Sequence, residues 1–239
     1  MGGTAAVDEV VPDGPWRFDG DVAVVFDDML RRSIPDFAAM REITTRLAAR
    51  ALRATLDPRL LDLGCSRGSG IAPILEHVPA TRVVGIECAR EMHRAATERF
   101  VDHANVDIID ADLRRGIPID VPQTVIVACL TLQFVPIEYR RRLLHQARRL
   151  MQPDGCLIVV EKVLGESERG DETLVDEYLS MKARHGYTDE QIARKRLALE
   201  GVLVPSTASE NERRSREAGF VVEPVWRAWN FAAWVAWPT

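Results

Sequence analysis

Leu60-Leu-Asp-Leu-Gly64-Cys-Ser-Arg-Gly68-Ser-Gly70 is the stretch that decides the fold. A short apolar run ends in Asp62, glycines fall at 64, 68 and 70, and an apolar helix-like segment, Ile71–Val78, follows. This is the pattern of a buried strand entering a tight turn at a helix N-terminus. Glycine suits such a turn because it reaches left-handed dihedrals and lets a ligand approach the backbone without a Cβ in the way. The spacing, Asp-x-Gly-x-x-x-Gly-x-Gly, is not the crowded G-x-G-x-x-G turn of dinucleotide sites.

Outward from this loop, strand and helix patterns alternate. Arg82–Ile86, Val106–Ile109, Thr124–Cys129 and Leu157–Glu161 read as strands, and Glu91–His103 and Ile137–Met151 as helices. Asp21–Arg32 and Phe37–Leu56 read as two earlier helices, parted at Ser33-Ile34-Pro35 because a residue before proline disfavours helix. Such alternation predicts an α/β fold with right-handed crossovers and a parallel sheet covered on both faces. The alternation stops after Glu161. Residues 165–206 read as a helical insertion, with a capping box at Thr188–Gln191 and a stop at Gly201. A second box is expected from Ser209 to Glu212, with Gly219 closing its helix. Val221–Trp226 and Trp229–Trp237 read as a terminal antiparallel pair, its tryptophans packing the core and a subunit interface. Residues 1–15, rich in Gly, Pro, Ala and acidic groups, read as a flexible tail ahead of one domain over 16–239.

Composition narrows the function class. The chain has 239 residues, 46% of them hydrophobic, and a net charge of −5, enough for one core and without global attraction to nucleic acid or membrane. No apolar run approaches the roughly 20 residues of a membrane span, and the first residues lack a signal-peptide pattern. A cytoplasmic protein is expected. The four cysteines show no C-x-x-C spacing, so no metal site is expected; Cys65, Cys88 and Cys129 each end a strand-like run and are read as small residues lining a crevice. Arg140, Arg141, Arg142, Arg148 and Arg149 give one helix a basic side, read as solvated because no aromatics interleave to stack on bases. RNA binding is the weakest functional reading.

The glycine loop resembles motif I of class I S-adenosylmethionine enzymes, which implies a Rossmann-like seven-stranded sheet, mostly parallel. Ligands of such sheets sit beyond the carboxyl ends of the strands where strand order reverses. The candidates at those ends are Gly64, Cys65 and Ser66 for the amino-acid part of the cofactor, Glu87 for both ribose hydroxyls, Asp112 and Leu113 for adenine, and Cys129 at the crevice floor.

A closer resemblance covers about Phe18 to Ala236. It rests on Phe26-Asp-Asp-Met-Leu-Arg-Arg-Ser-Ile-Pro35, Asp62–Ser66, Thr131-Leu-Gln-Phe134, Gly186-Tyr-Thr188, Lys195-Arg196, Leu199-Glu200 and Ala218-Gly-Phe220. In these stretches the chain resembles the carboxy-S-adenosyl-L-methionine synthase family, which serves a wobble-uridine modification pathway in tRNA. The resemblance implies that Arg196 grips the carboxylate of a carboxylated cofactor, and that the protein is a homodimer. It also sets three cofactor positions apart: Phe37 stands where the family has tyrosine, Cys129 where it has asparagine, and Glu87-Cys88 where it has Asp-Asn. These departures favour a methyltransferase using S-adenosyl-L-methionine on a small, carboxylate-bearing acceptor. The family reaction, in which prephenate supplies a carboxyl group to the cofactor, is the alternative. His185 and Tyr187, in the insertion over the site, are the candidate bases.

Overall fold

Apolar alternation along the central strands builds two packed faces of one sheet. The computed structural model describes residues 6–239. Strands β1 (Arg59–Leu63), β2 (Arg82–Glu87), β3 (Val106–Asp110), β4 (Gln123–Cys129) and β5 (Met151–Leu164) are parallel, and β6 (Ser206–Thr207) adds a two-residue pairing to β5. The terminal strands β7 (Phe220–Ala228) and β8 (Phe231–Pro238) form a hairpin whose second arm pairs antiparallel to β5. The order is β3-β2-β1-β4-β5-β8-β7, so seven strands follow the expected path and β6 is an extra stub. The hairpin turn is Trp229-Asn230, with Trp229 in the left-handed region, so that residue belongs to the turn and not to the strand expected there. Of the four C-terminal tryptophans, Trp234 is buried in the core and Trp237 is exposed.

The helices are α1 (Gly20–Ser33), α2 (Phe37–Arg53), α3 (Ile71–His77), α4 (Arg90–Arg99), α5 (Ile137–Leu150), α6 (Glu168–Arg184), α7 (Asp189–Leu199) and α8 (Ala208–Glu217). Successive strand side chains point to opposite faces. Thus Leu61, Leu63, Ile126 and Ala128 pack with Leu143, Leu144 and Ala147 of α5. Leu60, Val125 and Val127 pack on the other face with Ala48 and Leu52 of α2 and Ile71 and Ile74 of α3. Burial on both faces explains why β1 and β4 are continuous apolar runs. Among the described residues, no helix is long and apolar enough to cross a membrane.

Three expectations are corrected. The second capping box is Thr207–Glu210, in which Thr207 Oγ1 accepts from Glu210 N at 3.2 Å; Glu212 instead accepts from the Trp234 indole at 3.0 Å. Arg140 is buried, not solvated. Its Nε donates to Val135 O at 2.7 Å and its Nη2 to Val204 O at 2.6 Å, tying the start of α5 to the chain leading into β6. Arg148 likewise binds the Gly219 and Thr239 carbonyls, at 2.9 and 2.7 Å.

The third correction concerns the N-terminal segment. Residues 1–5 lie outside the described residues, but 6–15 form a strap across the helical cover. Asp8 is fully buried, and both its carboxylate oxygens accept from Lys195 Nζ of α7, at 2.9 and 2.8 Å. Its amide donates to Asp28 of α1 at 2.8 Å, and Arg32 Nη1 donates to its carbonyl at 2.9 Å. Pro12 O accepts from Arg194, and Trp16 N donates to Ala198 O at 2.7 Å. Composition suggests a loose tail, yet one buried ion pair and several hydrogen bonds to distant parts of the same chain fix residues 6–15.

Candidate functional site

Strand order reverses between β1 and β4, and a cavity of about 550 Å³ opens beyond their carboxyl ends. That volume is ordinary for a small-molecule site. The turn after β1 forms its floor. Gly64 has φ +75°, and a Cβ there would stand 2.6 Å from Thr131 Cγ2 and 2.7 Å from its hydroxyl. Only glycine lets the turn pass beneath the loop after β4. Gly64 N and Cys65 N both donate to Ile86 O, at 2.8 and 3.0 Å, which holds the turn against the end of β2.

Glu87, the last residue of β2, organises the next part. Its Oε2 accepts from Ser66 N at 2.9 Å and its Oε1 from Ala89 N at 2.8 Å. Burial raises its pKa and these backbone donors oppose the rise. A carboxylate has about four acceptor positions, so Glu87 keeps capacity for hydroxyl donors on a ligand. Asp62 is buried beside it, its pKa pushed up to about 7 by burial and by Glu87, against the opposing charge of Arg41. Arg41 comes from α2 and packs over Gly70, where a Cβ would lie 2.7 Å from its Nη1.

The structure brings most of the expected cofactor residues together. Gly64, Cys65, Ser66 and Glu87 line the cavity from β1 and β2, and Cys88, Asp112, Leu113 and Cys129 complete that side. Asp112 is also engaged by Arg114, whose Nε reaches Oδ2 at 2.8 Å; that hydrogen bond holds the carboxyl below its usual range. The Cys129 thiol, pushed up to about 11 by burial, is neutral, which fits a small lining residue and no nucleophile. All four cysteines are free thiols, and no metal-binding cluster exists among the described residues.

The other expected residues fall elsewhere. Phe37 does not line the cavity. It packs behind, with the Arg41 guanidinium 5.3 Å from its ring centroid, so Arg41 occupies the wall in front of it. Arg196 is exposed and outside the cavity wall, because α7 turns Ile192, Lys195 and Ala198 inward. Lys195, one residue earlier, lines the cavity. His185 is exposed at the end of α6, where its Nδ1 lies 3.0 Å from Arg32 O and its own carbonyl accepts from Arg32 Nε at 2.8 Å. It pins the cover to α1. Tyr187 is buried but faces away from the cavity, its hydroxyl donating to Asp8 and its pKa raised by burial. Neither is placed as a base.

Several cavity residues carry no sequence pattern of their own. Lys162 at the end of β5 and Tyr178 and Lys182 of α6 close the far wall. Glu161, next to Lys162, is buried and has its pKa pushed up to about 8; it accepts from Leu132 N at 2.9 Å. Gln133 Oε1 in turn accepts from Lys162 N at 2.7 Å. The Thr131-Leu-Gln-Phe134 segment is therefore hung on the end of β5, and this sets the height of the cavity wall.

Comparison with known proteins agrees with this geometry. A methyltransferase domain model matches residues 60–155. The carboxy-S-adenosyl-L-methionine synthase of Methylococcus capsulatus is 36% identical over 227 residues, covering 92% of this chain and 93% of that protein. The synthase of that name from Wolinella succinogenes is 36% identical over 230 residues, with 92% of each chain covered. Among solved structures, an O-methyltransferase family protein from Burkholderia thailandensis superposes with a TM-score of 0.65 at 16% identity, covering 93% of this chain and 61% of that one. Human N-acetylserotonin methyltransferase in complex with SAM gives 0.60 at 15%, over 92% of this chain and 56% of that one. At such identities these structures share the fold alone.

Proposed function

We infer the chemistry from one premise: this chain belongs to the carboxy-S-adenosyl-L-methionine synthase family. It is an S-adenosylmethionine-dependent transferase, and we propose that it carries out the reaction after which the family is named, with prephenate as carboxyl donor. The observation that carries the proposal is the cavity into which the ends of β1, β2 and β4 bring the cradle residues, in a chain alike to its relatives over 92% of its length.

The residues present fit the cofactor. The backbone at Gly64 stands too close to Thr131 for any side chain, which leaves the turn bare toward the cavity. Glu87 stays available to two ribose hydroxyls while its backbone bonds hold it still. Arg41 offers a positive charge to the carboxylate end of an amino acid, and Asp62, its pKa held at about 7 by burial, gives up its proton to face the ammonium end. Leu113 and the stem of Arg114 provide an apolar edge for a base. S-adenosylmethionine held by these residues would supply the methyl carbon that takes up the donor's carboxyl; the methyl proton and the donor's ring hydroxyl would leave as water and the remainder as phenylpyruvate. The chain's part is alignment and exclusion of water. The cover made by α6, α7 and the strap closes over the ends of the strands, and Tyr178, Phe231 and Leu130 supply an apolar wall.

A second reading keeps the same cradle and transfers the methyl group to a small carboxylate-bearing acceptor. Cys129 favours it, since a neutral thiol lines the floor where the resemblance sets an amide. One experiment separates the two. Purified protein is incubated with S-adenosylmethionine with and without prephenate, and the products are identified by mass spectrometry. The synthase reading expects a prephenate-dependent cofactor heavier by about 44 Da, one CO₂. Unchanged cofactor in both reactions refutes it. A cytoplasmic setting, in which an exposed thiol such as Cys88 stays reduced, and a homodimer belong to the same proposal. Light scattering on the eluted protein tests the dimer.

A further inference from the structure

The far wall of the cavity holds two lysines with no acidic group at ion-pair distance among the described residues, although the charges of Asp171 and Asp8 act on them from farther away. Lys162 Nζ lies 4.4 Å from the centroid of the Tyr178 ring, and Lys182 Nζ lies between two rings, 5.6 Å from that of Tyr178 and 5.0 Å from that of Tyr187. Both residues line the cavity, and Lys182 is almost wholly buried. Neither makes an ion pair among the described residues, whereas Lys195 on the neighbouring helix is neutralised by Asp8 at 2.8 Å. A ring face offsets only part of what a desolvated ammonium loses. Two such groups flanking one aromatic surface, in a cavity open to a ligand, point to an anion that completes them on binding.

We propose that Lys162 and Lys182 clamp the carboxylates of a dianionic carboxyl donor, whose ring lies against the Tyr178 side of the cavity. This rests on the synthase reading for the identity of the donor, though not for its charge. The site wants two negative groups on an apolar frame. Tyr178 packs on Phe231, ring centroids 5.8 Å apart, and continues into Ile34 and Leu130, so the surface between the charges is apolar. Burial pushes both lysines down to about 8, and the positive charges of Lys195 and Lys162 add to the effect at Lys182. At neutral pH both are still mainly protonated, and a bound dianion would hold them so.

The test uses the full chain loaded with S-adenosylhomocysteine and titrated calorimetrically with prephenate, and separately with the monoanion phenylpyruvate. Prephenate is expected to bind more tightly than phenylpyruvate. Lys162→Met and Lys182→Met should each weaken prephenate binding roughly 10- to 100-fold, the effect of one charged hydrogen bond, and leave the affinity for S-adenosylhomocysteine within about twofold. Lys162→Arg and Lys182→Arg keep the charge and should keep most of the affinity. Unchanged prephenate affinity in both Met variants overturns the clamp, as do Arg variants that bind no better than the Met ones. If the wild-type protein binds prephenate through these lysines but forms no carboxylated product, the clamp stands and the synthase reading falls. If product forms and the Met variants keep the wild-type KM for prephenate, the synthase reading stands and the clamp falls.

Discussion

Asp8→Ala is the sharpest perturbation the structure offers. Asp8 and Lys195 are 0% and 2% exposed, and the ammonium reaches both carboxylate oxygens. Removing the carboxylate leaves a buried ammonium among Lys182 and Arg32, and breaking a buried pair in this way typically costs about 3–5 kcal/mol. The protein has one escape: residues 6–15 can lift from α7 and let water reach Lys195. That caps the cost at the free energy of docking the strap, so the lower half of the range is expected. For urea unfolding with a slope of about 2–3 kcal/mol/M, the midpoint should fall by roughly 1–2 M. The pH dependence has a fixed sign. Burial holds the Lys195 pKa below its unfolded value, and the loss of Asp8 removes the opposing pull. Between those two values the unfolded chain binds more protons, so the stability of the variant rises with pH and its deficit shrinks toward alkaline conditions. The double variant Asp8→Leu with Lys195→Met should recover to within about 1 kcal/mol of wild type. An Asp8→Ala midpoint unchanged at neutral pH, or a deficit that widens as pH rises, refutes the reasoning.

Three further outcomes follow from the cradle. Gly64→Ala places a methyl against Thr131 at a left-handed φ, so stability should drop by about 1–3 kcal/mol and S-adenosylhomocysteine binding should be lost; Thr131→Ala in the same chain should restore part of the stability, read by thermal unfolding. Glu87→Ala should weaken S-adenosylhomocysteine roughly 10- to 100-fold by calorimetry, since it removes a charged acceptor and frees the amides of Ser66 and Ala89. Asp62 keeps its proton in the folded state up to about pH 7, whereas the unfolded chain loses it near 4, so ligand-free stability falls across that window. Asp62→Asn should therefore be more stable than wild type at pH 8, by on the order of 1–3 kcal/mol, and equal to it near pH 4, measured by urea unfolding.

The parts of the fold that were legible before the structure share a cause. β1, β4 and the core of β5 are apolar runs bounded by turn residues, and Pro35, Gly201 and Gly219 mark helix ends because their backbones cannot continue as before. The strap was illegible because nothing local holds it. Tyr187, 179 residues away, and Lys195 fix Asp8, and no window of sequence contains both sides of that contact. Arg140 misled for a related reason. It falls among arginines on the polar side of α5, but it turns back onto the Val135 carbonyl five residues earlier, and the Val204 carbonyl reaches it after the chain has crossed the sheet and returned.

The candidate site divides along the same line. A residue at the carboxyl end of a parallel strand has its position set by the sheet, so Gly64, Glu87 and Cys129 could be placed from strand order alone. A residue in the cover has its position set by the rotation of a helix about its own axis, where neighbouring residues differ by about 100°. That angle separates Lys195, against Asp8 and the cavity, from Arg196 in solvent. A helix of eleven residues with few large apolar side chains does not announce its inner face, and its rotation is decided by what it meets: the strap on one side and Tyr187 on the other. On the proposed reading, binding the nucleoside is thus written into the sheet, whereas the choice of the second substrate is written into contacts between the cover, the strap and the end of β5. Substitutions that change the donor are expected in α6, α7 and residues 6–15, and those that abolish cofactor binding at the ends of β1 and β2.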